Sequence, residues 1–115
     1  MVYMNAKQKG KRGERLWRDE LNSHGYTGSV RDGQQGNGGS ADHPDVVAPM
    51  MPKTHWEVKF TQTLNVRKAM QQAIDDSAGS GKQPIVAWKK NNADWLVVMR
   101  AEDWFKLSHS GSAAL

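Results

Sequence analysis

The feature that most constrains this chain is a change of period in its second half. From His55 to Phe60 apolar and polar residues alternate, with Trp56, Val58 and Phe60 on one side and His55, Glu57 and Lys59 on the other. Strict alternation of this kind is the mark of a strand with two unlike faces, one to pack and one to do chemistry. After a short gap, Val66, Ala69, Met70, Ala73 and Ile74 recur at i, i+3, i+4, i+7 and i+8, which predicts a helix with Asn65 as its N-cap and an end near Ala78. The apolar run Ile85-Val86-Ala87-Trp88 then reads as a buried strand. A strand, a crossover helix and another strand in that order commit the chain to the α/β class.

The flanking segments complete one layer on each side. Arg12 to about Ser23 reads as a first helix, with Glu14, Trp17 and Leu21 on one stripe, so that Glu14 shares a face with core residues. Thr27 to Arg31 and Pro44 to Ala48 read as strands, the second joined to His55–Phe60 by a turn over Pro49-Met50-Met51-Pro52. Between them, Asp32 to Ser40 holds four glycines in nine residues and predicts a mobile loop. Asn91-Asn92 is a turn into a fifth strand, Trp95 to Met99, and Ala101 to Leu107 a short closing helix. The expectation is one domain over residues 1–107 with a disordered tail over 108–115: five strands in one mixed sheet flanked by helices.

Charge narrows the partners. The formal net charge is +4, and Lys7, Lys9, Lys11, Arg12, Arg15 and Arg18 crowd the first eighteen residues, which points to a polyanion; a solvated basic tail is the plainer alternative. With no cysteine, disulfides and thiolate zinc sites are excluded. Neither a signal peptide nor a long apolar run is present, so the cytoplasm of a bacterial, archaeal or phage-infected cell is the expected location and no membrane association is expected.

Asp45 and Glu57-Val58-Lys59 carry the chemistry. Hydrolysis of a phosphodiester requires a divalent metal to activate water and offset charge on phosphorus, and hard Mg²⁺ takes oxygens from one or two carboxylates. Asp45 and Glu57, on strands joined by one turn, project toward the same end of the sheet, and Lys59 shares the face of Glu57 and can stabilise the charged phosphate. The tripeptide alone is weak, since the 12 acidic residues and the lysines present give about one acid-X-Lys match by chance.

Order and spacing strengthen it. Glu14-Arg15 in a first helix after Lys-Gly, Val30-Arg31 before a Gly/Ser loop, Pro44-Asp45-Val46-Val47, Glu57-Val58-Lys59 and Pro84-Ile85-Val86-Ala87 together resemble the archaeal-type Holliday junction resolvases of the PD-(D/E)XK nuclease superfamily. The resemblance runs from about Lys9 to Leu107. It implies a restriction-endonuclease-like sandwich around a five-stranded mixed sheet, with Glu14, Asp45 and Glu57 as the acidic metal-site residues and Lys59 as the catalytic lysine. It further implies Mg²⁺ with Mn²⁺ as a substitute, and Arg15 and Arg31 as phosphate contacts. Lys9, Lys11, Arg12 and Ser40 join them as candidate DNA-binding residues, and Gln72, or failing it Gln71, is a candidate accessory residue on the crossover helix. A resolvase implies four-way DNA as substrate and, because two symmetric nicks are needed, a homodimer. The chain departs from the family pattern in two places, Asp42-His43-Pro44 before the aspartate strand and a short segment after Lys59, both bearing on the junction surface.

Other motifs point elsewhere with less force. A different branch, flap or mismatch nuclease, and a catalytically silent DNA-binding module, are the rival functions; the intact set Glu14, Asp45, Glu57 and Lys59 argues against the latter. Asp42, His43 and His55 lack the spacing of a transition-metal site. Gly79-Ser80-Gly81-Lys82 has Asp76 where a phosphate loop needs its first glycine and Gln83 where it needs Ser or Thr, so a helix end explains it better. Trp56, Trp88 and Trp95 fit core strands, and Trp17 and Trp104 are candidates for a subunit interface. The Gly33–Ser40 loop could track a DNA backbone or serve as a plain connector.

Overall fold

In the computed structural model, residues 5–32 and 44–110 are described. They form α1 (Ala6–Ser23), β1 (Val30–Arg31), β2 (Val46–Val47), β3 (Thr54–Phe60), α2 (Val66–Ser77), β4 (Gln83–Lys89), β5 (Leu96–Met99) and α3 (Ala101–Ser110). The strands make one sheet in the order β1-β2-β3-β4-β5, antiparallel throughout except for the parallel pair β3 and β4. The α2 helix is the crossover that this parallel pair requires.

The first helix begins at Ala6 rather than Arg12. Asn5 and Gln8 close a capping box, the Asn5 side chain accepting from the Gln8 N–H at 2.9 Å and the Gln8 side chain accepting from the Asn5 N–H at 3.2 Å. Lys7, Lys9 and Lys11 therefore ride on an ordered helix instead of a tail. Trp17 and Leu21 of α1 pack on Val46, Ala48, Trp56, Val58, Ile85 and Ala87. The Trp17 ring lies 4.9 Å from Trp56 and 4.8 Å from Trp95, so Trp17 is a core residue and not an interface residue, because its stripe faces the sheet. Gly13 sets how closely α1 lies on β3: a Cβ there would stand 2.6 Å from Cβ of Phe60, and a larger residue would lift the helix that carries Glu14.

On the other side of the sheet, Ala69 and Ala73 of α2 press on Val86, with Leu64, Met70 and Val98 around them. The alanines let α2 sit low. The two faces of β3 are unlike, as the alternation predicts, but the chemical face is covered too: His55 and Glu57 are buried as deeply as Trp56.

The early strands are shorter than their sequence pattern. Over Thr27–Gly28 the chain turns, with Gly28 at φ +84°, and Asn22 exchanges hydrogen bonds with the Ser29 backbone at 3.0 and 3.1 Å, tying that stretch to the helix end instead of the sheet. Only Val46 and Val47 form β2; Asp45 precedes it as a bend, although its N–H still donates to the Trp56 carbonyl at 2.8 Å. The Pro49–Pro52 segment is the expected turn, closed by Met51 N–H to Ala48 O and Thr54 N–H to Met51 O. Gly79 and Gly81 adopt φ of +81° and +76° just past α2, as a helix terminus requires. The closing helix runs three residues past Leu107, to Ser110. Residues 111–115, and the 33–43 segment with Ser40, Asp42 and His43, lie outside the described residues.

Candidate active site

Four elements converge beside Glu57. From the bend just before β2 comes Asp45, whose Oδ2 accepts from the Val58 N–H at 2.7 Å, a bond that pins its carboxyl against the β3 backbone. The antiparallel pairing of Val46 with Trp56 makes this approach possible. Asp45 and Glu57 are hydrogen-bonded to each other through their side chains, and Glu14 of α1 is near enough to act on Asp45 by its charge. Glu14 is itself held by Arg31 of β1, with Nε donating to Oε1 at 3.1 Å. Two residues beyond Glu57, Lys59 donates from Nζ to Oε1 of Gln72 on α2 at 2.7 Å. The structure thus gathers Glu14, Asp45, Glu57, Lys59 and Gln72 around one end of β3.

It also brings in two residues that the motif reading did not place there. Asp76 of α2 hydrogen-bonds to Glu57, and Nε2 of His55 lies 3.3 Å from Oε1 of Glu57 with both side chains buried. His55, Glu57 and Asp76 offer ligand atoms that all fall within 4.8 Å of one another. Glu57 therefore stands between two groupings, Asp45 and Glu14 on one side and His55 and Asp76 on the other.

So many carboxyl groups cannot all ionise in a shielded space. The Asp45 carboxyl is pushed up from 3.8 to about 8, first by burial and then by the charge of Glu57, with Glu14 adding to it and the Val58 N–H opposing. Asp76 is raised as well, by burial first and by Glu57 second. Without a cation the cluster settles by holding protons. A divalent ion would relieve the same repulsion: among the described residues His55, Glu57 and Asp76 are the group whose ligand atoms lie within 4.8 Å of one another, and the neighbouring carboxyl of Asp45 is of the oxygen type that a hard cation takes. The residues present therefore suit the metal on which nucleases of this kind depend.

The comparisons with known proteins agree with this geometry. The family model described as "Phage putative PDDEXK endonuclease" matches residues 5–113. The chain belongs to this family. Its fold is similar to that of Hjc from Archaeoglobus fulgidus, a Holliday junction resolvase from an archaeal hyperthermophile, at 26% identity and a TM-score of 0.55 over 76% of this chain and 73% of that one. No curated protein matches it in sequence. The restriction-endonuclease-like sandwich and the archaeal-type resolvase resemblance expected from the motifs are both shown, and the protein is a PDDEXK nuclease.

The basic residues of this nuclease divide into two kinds. Lys11, Arg12 and Arg15 are exposed on α1. Lys9 stands 5.1 Å from the centroid of the Phe60 ring, and Lys89 approaches the same ring at 5.9 Å, so two cations meet at the end of β3. Arg31 differs: it is half-buried and spends its guanidinium on Glu14, because a carboxylate set among other carboxylates needs a near counter-charge. A signal for Asp76 was present in the sequence. It lies four residues after Gln72, one helical turn along the same stripe, while Glu57 lies two residues before Lys59; since α2 runs back along β3, a turn of helix matches two residues of strand. His55 shares the row of Glu57 and Lys59, and only its depth was hidden.

Proposed function

We propose that this nuclease is a Mg²⁺-dependent endonuclease, with Mn²⁺ able to substitute, that resolves four-way DNA junctions by paired symmetric nicks as a homodimer. The observation that carries the reading is the hydrogen-bonded pair of Asp45 and Glu57 with Lys59 one strand step away. The likeness to a Holliday junction resolvase over three quarters of the chain supports the choice of substrate.

In this mechanism Asp45 and Glu57 hold the cation, with Glu14 completing the acidic set. A cation held there would supply activation of water and relief of the charge that builds on the phosphate. Lys59 brings its ammonium to the oxygens that gain charge in the transition state, and Gln72 fixes the direction of that ammonium. Arg31 keeps Glu14 aimed at the site. Val58, through its N–H, holds Asp45 in place. The exposed cations Lys11, Arg12 and Arg15, with Lys9, and Ser40 of the 33–43 segment, contact the phosphates of the DNA arms.

Cleavage of labelled four-way, flap and linear DNA of matched length, in Mg²⁺ and in Mn²⁺, tests the reading. The four-way substrate should be cut fastest, with nicks placed symmetrically on opposing strands. Equal or faster cutting of flap or linear DNA would replace junction resolution by another branch-directed activity of the same site.

A further inference from the structure

The crossover helix meets β3 in regular steps. One turn of α2 matches two residues of the strand, so Asp76 meets Glu57 in a hydrogen bond and Gln72 meets Lys59 at 2.7 Å. Lys68 is the next residue on that stripe, four before Gln72. Its counterpart one step further along the strand would be Thr61, but β3 ends at Phe60. A cavity of about 170 Å³ opens there instead, lined by Lys59, Leu64, Asn65, Lys68, Ala69 and Gln72.

The charges around this cavity call for an anion. Both charged residues of its lining are lysines, and among the described residues neither has a carboxylate partner: Lys59 donates to Gln72, and Lys68 is exposed. Arg67 and Lys68 fall in the first turn of α2, which holds no acidic residue, although the N-terminal end of a helix disfavours cations. Asp75 and Asp76 fall in its last turn, where anions are disfavoured. Both ends of α2 thus run against the helix dipole. At the far end the contact of Asp76 with Glu57 accounts for the exception. At the near end nothing among the described residues matches the cations, so the group that they favour is supplied from outside the chain.

The rest of the lining narrows that group. The cavity holds the volume of five or six waters at ~30 Å³ each, room for a phosphate group. Leu64 and Ala69 add apolar surface of the kind a sugar covers. Asn65 spends its side-chain oxygen on the Lys68 N–H at 3.0 Å, and the Gln72 oxygen is engaged by Lys59, so neither amide presents the donor and acceptor together that read a base edge. A sugar–phosphate backbone fits, whatever its sequence. The segment between β3 and α2 is also held still. Thr61 N–H donates to the Lys89 carbonyl at 3.1 Å, the Thr61 carbonyl accepts from the Trp88 indole at 2.9 Å, and the Gln62 side chain accepts from the Asn91 N–H at 2.9 Å. Because that segment is short, the first turn of α2 follows at once and Lys68 shares the cavity with Lys59.

We infer that this cavity seats the phosphate next to the scissile one in the strand being cut, with Lys68 as the side chain that holds it. This rests on the reading of Asp45, Glu57 and Lys59 as the cleavage site and adds the register of the bound strand. One phosphate faces the acidic cluster, its neighbour faces Lys68, and Lys59 stands between them. Lys68 binds the substrate without touching the bond that breaks; by fixing the neighbouring phosphate it positions the scissile one.

The test is a cycle between one side chain and one phosphate charge. Single uncharged methylphosphonates are walked along the cut strand of whichever DNA, four-way, flap or linear, wild type cleaves fastest. Single-turnover rate at subsaturating enzyme and affinity in Ca²⁺ are read for wild type, Lys68→Ala and Lys68→Arg. Lys68→Ala should lower both by roughly tenfold, as loss of one charge-assisted contact does. In wild type a methylphosphonate at one position beside the nick should cause a loss of similar size, and in Lys68→Ala that position should lose nothing further. Lys68→Arg should restore the wild-type pattern. Losses that multiply at every position overturn the inference, as does Lys68→Ala with wild-type rate and affinity. Lys68 is exposed and opposes the dipole, so Lys68→Ala should unfold in urea no earlier than wild type, which separates the effect from misfolding. Fastest cutting of linear DNA would remove the resolvase reading and leave the cycle decisive. If no DNA is cut, the affinity cycle on four-way DNA decides alone: coupling at one phosphate supports the seat, and its absence at all of them overturns it.

Discussion

On the α1 side of β3 the contacts are aromatic and dry, Trp56 meeting Trp17 with Val58 beside them, whereas on the α2 side the same strand sets His55, Glu57 and Lys59 against Gln72 and Asp76. The two rows alternate along one strand, and His55 and Glu57 are as buried as Trp56 and Val58 while Lys59 is only partly covered, yet the rows act on the fold in opposite senses. Burial of the apolar row lowers the free energy at any pH or ion content. Burial of the polar row raises it until protons or a cation neutralise the carboxyl groups. Neighbouring residues of β3 therefore divide stability from function, and substitutions on the two rows should diverge.

The largest divergence is expected between Glu57 and Trp56. Glu57→Gln or Asp45→Asn should abolish cleavage while leaving the fold and Ca²⁺-supported junction binding intact. Trp56→Ala should cost about 3–5 kcal/mol of stability by urea unfolding, with the active-site residues untouched. Near wild-type cleavage by either acidic variant would sink the metal-site assignment. Next, Lys59→Ala should slow single-turnover cleavage on the order of a hundredfold with little change in binding, as loss of one preorganised electrostatic group does. Weaker binding at an unchanged maximal rate would make Lys59 a mere phosphate contact.

The pH response sharpens the comparison. Asp45 titrates near 8 in the fold against 3.8 in a free chain, so its neutral form favours folding and its contribution is fully present below about pH 4. That contribution declines as pH rises toward 8. Metal-free protein should lose stability over this interval, and Asp45→Asn should lose less, gaining on wild type at pH 8; a parallel decline in both would contradict the buried-carboxyl account. Trp56→Ala should shift the whole curve down without changing its slope. The smallest effect concerns cations. Lys9→Ala with Lys11→Ala should reduce the log-log salt slope of junction binding by about two units. Arg31→Ala should reduce it by less than one, because its guanidinium already serves Glu14. Equal effects per charge would show that Arg31 reaches the DNA after all.

How far the site could be read in advance depended on the reach of each contact along the chain. The Asp45–Glu57 pair was legible because one turn separates their strands, whereas Gln72, with Gln71 as the alternative, came only through the nuclease-superfamily resemblance and not through any contact with Lys59. Asp76 shares the stripe of Gln72, but its contact with Glu57 and the burial of His55 depend on how low α2 settles on the sheet, a height set by Ala69 and Ala73 against Val86. The start of α1 was written in Asn5 and Gln8 but masked by the basic run that follows them. The shortness of β1 had no local signal, because Asn22, seven residues upstream, takes the hydrogen bonds of Ser29.

By itself, then, the order of residues determined which side chains share a strand face, where helices begin and turn, and that Asp45, Glu57 and Lys59 would stand together. These follow from periods of two and 3.6 residues and from caps that act over a few positions. Only the tertiary structure decided that Glu57 would be enclosed by His55 and Asp76, that Arg31 would be committed to Glu14, and that the β5–α3 edge would be left uncovered. Those outcomes depend on distances between elements far apart in the chain, where a shift of an ångström in packing decides whether a carboxyl meets water, a counter-charge or another carboxyl.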